Sequence, residues 1–207
     1  MEHMDVNPMG LDGFEFCEFT APDTAALRRQ FEALGFVAAA THPTRRVTRY
    51  VQGRTNLLVN EEPGGQAAAF AADHGPSANG MAFRVADAQA AFDAALARGA
   101  KPADAATSAL GEGAYVLQGI GGSLLYLVDR PGAAGSVYDD WDEVPGWRAA
   151  AAREGVGLDL LDHLTHNVRR GQMRVWAEFY GQIFGFEEQK YFDIKCKATG
   201  LFSQAMI

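Results

Sequence analysis

Two histidines stand three residues apart in LDHLTHNV, residues 161–168, with an aspartate directly before the first. The chemistry this raises is metal ligation by an imidazole. Aromatic and apolar residues around the pair read as a strand, and in a strand residues an odd number apart point to opposite faces. His163 and His166 therefore cannot both reach one metal. Leu161, His163 and Thr165 share one face, and Asp162, Leu164 and His166 share the other. A strand histidine also serves well as a hydrogen-bonded structural residue, so spacing alone leaves the ligand open.

Other chemistries find little support. Cys17 and Cys196 are the only cysteines, far apart and without a CxxC partner. No disulfide framework or thiolate metal site is readable, and a reducing compartment is expected. The net charge of −8 argues against a partner held by its phosphate backbone. Arg45, Arg46, Arg49 and Arg54 are expected on a solvated strand face. The glycines at 119, 121 and 122 lack the lysine and hydroxyl of a phosphate loop and read as a turn. His3, His42 and His74 fall in expected tail or loops, facing solvent. The opening MEHMDVNPMG has no basic segment followed by an apolar run, and no apolar stretch reaches the ~18 residues of a membrane span. A cytoplasmic location is expected, with no nucleic-acid or membrane partner.

The elements that must position these residues start three times. GFEFCEF (13–19) reads as a strand, and Asp23 as the N-cap of a helix with Leu27, Phe31 and Leu34 on one face and Gly35 as its stop. Extended stretches follow at 47–52 and 56–60, 61–65 breaks the pattern, and FAADHGPSAN (70–79) leads onward as a loop. GMAFRV (80–85) begins again, with Asp87 as N-cap of a helix ending at Gly99, then a hairpin of 114–118 and 123–128. Residues 131–157 mix Pro, Gly, Ala and charge and read as a linker with a short helix at 147–153. The third start has LLDHLTHNV, an amphipathic helix through Met173, Trp176, Tyr180 and Ile183, and QKYFDIKCK, which alternates Phe192, Ile194 and Cys196 against Tyr191, Asp193, Lys195 and Lys197. Residues 201–207 make another strand. The expected division is 1–130, a linker at 131–157, and 158–207.

A strand-helix-strands unit used in pairs resembles the vicinal-oxygen-chelate, or glyoxalase-like, superfamily, an α+β fold of repeated βαβββ units. NPMGLDGFEFCEFTAPD, GMAFRV, LLYLVDRPG, LDHLTHNV before WAEFYGQIFGF, and KYFDIKCKATGLFSQAM together resemble the bacterial 4-hydroxyphenylpyruvate dioxygenase family. The resemblance implies a non-haem Fe(II) enzyme of tyrosine catabolism with a homo-oligomeric parent, taking the 2-oxo acid 4-hydroxyphenylpyruvate and O2 to homogentisate and CO2. Two histidines and one glutamate would hold the iron and leave positions open for substrate and O2. It implies that His163 is the first ligand, that Ser203 lines the substrate pocket, and that Thr165, on the His163 face, is a weaker pocket residue. The equivalent slots of the first domain fall at Phe16, Gly80 and Tyr126, which cannot reproduce two imidazoles and a carboxylate, so that domain is expected to hold no metal.

QAMI ends inside an apolar strand pattern, and the remaining ligands and aromatic clamp of the family find no counterpart before Ile207. The sequence is therefore expected to be a C-terminally truncated piece without turnover of its own. Two alternatives stand beside the dioxygenase. One is 4-hydroxymandelate synthase, with the same substrate and iron. The other is a non-catalytic chelate-fold protein that binds a small molecule.

Overall fold

β1 (Phe14–Thr20) alternates aromatic residues with Glu15, Cys17 and Glu18, a pattern suited to a strand packed on both faces. The computed structural model describes residues 7–132, 135–195 and 200–207. His3, Cys196 and Lys197 lie outside them. Asp23 caps α1 (Thr24–Ala33), its carboxylate accepting from the Ala26 amide at 3.1 Å. β2 (Val37–Thr41), β3 (Val47–Gln52) and β4 (Thr55–Asn60) complete the first unit. The helix stripe is shorter than expected: Leu27 and Phe31 are buried, but Leu34 sits past the last turn and is 53% exposed.

α2 (Gly65–His74) runs from the expected break into the stretch expected as loop. Its buried residues are two alanines, Ala67 and Ala71, so there is no large apolar stripe to read, while alanine's helix propensity suffices. His74 faces solvent from this helix, not from a loop. β5 (Ser77–Val85), α3 (Ala88–Ala97), β6 (Tyr115–Gln118) and β7 (Leu124–Asp129) form the second unit. Asp87 caps α3 by accepting from Ala90 N at 2.9 Å, and Asp129 accepts from Ala88 N at 2.7 Å. Asp87→Ala is expected to lower stability by about 1 kcal/mol, read from the urea midpoint at unchanged slope.

The strands make one sheet in the order β6-β7-β5-β1-β4-β3-β2, with β8 (Asp142–Glu143) added beside β2. β1 and β5 pair antiparallel at the centre, and each has a parallel neighbour, β4 and β7. The two units are thus joined at their first strands. α1 covers one half of the outer face through Cys17, Leu27, Phe31, Tyr50 and Val59. α3 covers the other through Met81, Phe83, Ala91, Ala95 and Leu125. The inner face is a cup lined by Phe16, Val47, Leu58, Ala82, Val116 and Tyr126.

The stretch 131–157 is not a loose connection. Tyr138 and Trp141 enter the cup and are buried there, and β8 extends the sheet. α4 (Trp147–Glu154) follows, close to the expected helix. His42, expected in solvent, is half-buried edge-on to Trp141, with ring centroids 5.1 Å apart. Arg49 likewise leaves the solvated face, its guanidinium 3.9 Å from the Tyr138 ring and bonded to Asn56 Oδ1. Both corrections follow from the same cause, since the aromatic plug brings them a partner.

α5 (Met173–Phe184) packs Tyr180, Ile183 and Phe184 onto the α3 side of the core. Among the described residues, β9 (Glu188–Lys195) and β10 (Gly200–Met206) pair only with each other. The strand expected over 160–168 does not form. A strand needs a neighbour to take its backbone groups, and β9 and β10 satisfy one another instead.

Candidate metal centre

Residues 155–170 leave α4 and cross the β3–β4 turn. Gln52 Oε1 accepts from the amides of Val156 and Leu158 at 2.7 and 3.2 Å. The Arg54 amide donates to the Asp159 carbonyl, and its guanidinium to the Asp159 carboxylate at 2.5 and 3.0 Å. That pairing holds the Asp159 carboxyl below its ordinary value. Leu161, expected to share the His163 face, packs on the α1-side core instead, and from His163 onward the chain keeps a strand's alternation without a ladder. Leu164, His166 and Val168 are half-buried, whereas His163, Thr165 and Asn167 are exposed. Leu164 packs against both helix-side cores.

His163 therefore projects outward, with its side chain 80% exposed. Its Nδ1–H donates to Asp162 Oδ2 at 2.9 Å, which leaves Nε2 with a free lone pair. His166 turns the other way and meets the Tyr180 hydroxyl at 2.9 Å. Burial pushes the His166 imidazole below its ordinary value, favouring the neutral ring. Ser203 lies on β10 opposite Phe192, half-buried, on a sheet separate from the His163 segment. Among the described residues no three His, Cys, Asp or Glu side chains come together as a metal set.

The first cup holds what sequence reading missed. Phe16 and Tyr126 are fully buried, their rings 5.1 Å apart, and a Cβ at Gly80 would lie 2.9 Å from both Tyr126 Cε2 and Glu18 Oε2. Glu18 is fully buried beside them. Tyr126 OH donates to its Oε2 at 2.5 Å, and Asn60 and Asn79 Nδ2 donate to Oε1 at 2.8 and 2.7 Å. Burial raises the Glu18 carboxyl, and those three donors oppose it. Glu15, next to Arg84, Arg49 and Asn56, is raised by burial in the same way. The signal was present in EFCEF, where two carboxylates interrupt a strand otherwise fit for a core.

A sequence profile described as "Hydroxyphenylpyruvate dioxygenase, HPPD, N-terminal" matches residues 6–142. The chain belongs to the hydroxyphenylpyruvate dioxygenase family. A 4-hydroxyphenylpyruvate dioxygenase from a Pseudomonas species is 48% identical over 201 residues, covering 97% of this chain and 56% of that protein. The same enzyme name is borne by a Pseudomonas aeruginosa relative, 48% identical over 204 residues with the same coverage. Among solved structures, a xylose isomerase-like TIM barrel/4-hydroxyphenylpyruvate dioxygenase fusion protein superposes with a TM-score of 0.76 at 28% identity, over 97% of this chain and 31% of that one.

The chain spans about half the length of the curated relatives it matches. Its α+β, chelate-type architecture is the one expected from the repeated units. Among its described residues no helix is long and apolar enough to cross a membrane. For a divalent metal, the donor set present fits one corner of a site. His163 offers an oriented imidazole nitrogen, a suitable ligand with its other nitrogen held by a carboxylate.

Proposed function

We propose that the chain is the N-terminal domain and first ligand segment of a non-haem Fe(II) dioxygenase. The parent would convert 4-hydroxyphenylpyruvate and O2 into homogentisate and CO2 in the cytoplasm, as a homo-oligomer. In this reading residues 1–130, closed by the 131–157 plug, are the metal-free domain, and 158–207 open the catalytic one. The observation that supports it best is His163: outward-facing, its Nε2 free, in a chain 48% identical to proteins bearing that enzyme name.

Bound iron would supply the centre at which a 2-oxo acid chelates and O2 is reduced. The chain's own residues have simpler tasks. His163 gives one nitrogen, and Asp162 fixes its tautomer by accepting the Nδ1 proton. The Ser203 hydroxyl offers a donor and an acceptor to the substrate, and Thr165, on the His163 face, a second hydroxyl.

The test joins these 207 residues to the remaining length of the Pseudomonas relative and loads the chimera with Fe(II) anaerobically. Adding 4-hydroxyphenylpyruvate and O2 is expected to yield homogentisate and CO2 one for one. 4-Hydroxymandelate as product would move the assignment to the synthase. Substrate binding without O2 uptake would make it a binding protein. The 207-residue chain alone, with one imidazole to offer, is expected to form no homogentisate under the same conditions.

A further inference from the structure

The His163 segment is held in an unusual way. Among the described residues, 160–168 make no backbone–backbone hydrogen bond. Their side chains make two hydrogen bonds. His163 to Asp162 is internal to the segment, and His166 to Tyr180 alone reaches another element. Packing of Leu164 against both cores and of Leu161 against one sets which side of the segment faces inward, but apolar contact tolerates a spread of orientations about that setting. A hydrogen bond is directional.

Its anchor is firm. Tyr180 is 8% exposed, and its ring stacks on His166 at 5.7 Å and on Phe184 and Phe186 at 5.8 Å each. The α5 helix carrying it is packed onto the core of the first domain. We propose that His166 is a positioning residue: by accepting the Tyr180 hydroxyl proton, it fixes the rotation of residues 160–168 and so turns His163 outward. A neutral His166 is what this arrangement requires, and burial of both partners favours neutral forms. The link to a metal rests on the reading of His163 given above, whereas the clamp itself does not.

Two measurements separate these. In the 207-residue chain, backbone order parameters at 161–168 are expected near the rigid value of about 0.85 and to fall toward about 0.6 in Tyr180→Phe, with the imidazole 15N signals of His166 moving from a bonded to a free Nε2. Unchanged order and unchanged 15N shifts in that variant overturn the clamp, whatever iron does. In the Fe(II)-loaded chimera, Tyr180→Phe and His166→Phe are each expected to weaken Fe(II) binding about 10- to 100-fold. The double variant should lose no more than either alone, and His166→Gln, whose amide oxygen can accept the same proton, should recover most of the affinity. Loss of order with full Fe(II) affinity would make His166 merely structural and overturn the positioning role. A natural-sequence chimera that binds no Fe(II) overturns the dioxygenase reading instead, and the order parameters still decide the clamp.

Discussion

His163→Ala in the chimera is expected to remove homogentisate formation and to weaken Fe(II) binding by more than the roughly 10- to 100-fold lost with a group behind a ligand. The reason is the number of donors. A facial set of three leaves nothing redundant, and replacing an imidazole by a methyl group leaves water as the only substitute. The fold should not notice. The side chain is 80% exposed, its one partner is the equally open Asp162, and no core residue leans on it. Circular dichroism and the melting temperature are therefore expected to match the natural sequence within error. His163→Gln, which keeps a polar donor of similar reach but no imidazole nitrogen, should be as inactive. Stoichiometric Fe(II) with undiminished turnover in His163→Ala would remove this residue from the site, and with it the main support for the proposed activity.

What could be read in advance depended on how local each cause was. Asp23 and Asp87 were legible as caps because the amides they accept from lie three residues away. The repeated order of strand, helix and strands was legible because aromatic and β-branched runs reveal strands within a few residues. The alternation was equally local, and it survives over 163–168, whereas Leu161, expected on the His163 face, packs inward and Asp162 is exposed. The segment's strand state was not local, because that depends on a neighbouring strand, and the two strands that follow pair together. Tyr138 and Trp141 vanished into the average composition of 131–157, and the cup that buries them is built from strands far earlier in the chain. Glu18 was hidden by the same distance: its donors come from 42 residues away at Asn60 and 108 residues away at Tyr126. A polar residue in an apolar strand says that a partner exists, but not which one.

Glu18 is where that long-range dependence becomes measurable. Glu18→Ala leaves the Tyr126 hydroxyl and the Asn60 amide donating to nothing inside a sealed cup, while Asn79 keeps a second acceptor in Gln66 at 2.9 Å. Orphaned buried donors cost ~1–3 kcal/mol each, and the empty space adds to that, so a loss of about 3–5 kcal/mol is expected. Tyr126→Phe should cost less, and the double variant less than the sum, because both changes remove one shared bond. Chemical denaturation of the four proteins completes the cycle. An additive double variant would show that the bond contributes nothing. The sign of the pH dependence then tests the charge. Burial raises the Glu18 carboxyl above its ordinary 4.5, so the stability it contributes is full below that value and is lost as pH rises through the raised one. Glu15 shifts in the same direction, so the natural chain shows both. Comparison with Glu18→Gln isolates one of them. The glutamine variant lacks the second acceptor oxygen at every pH but never has to bury a charge, so its deficit relative to the natural chain should shrink as pH climbs above 4.5. A deficit that grows with pH would mean the three donors outweigh burial, and that the cup holds a stabilised carboxylate.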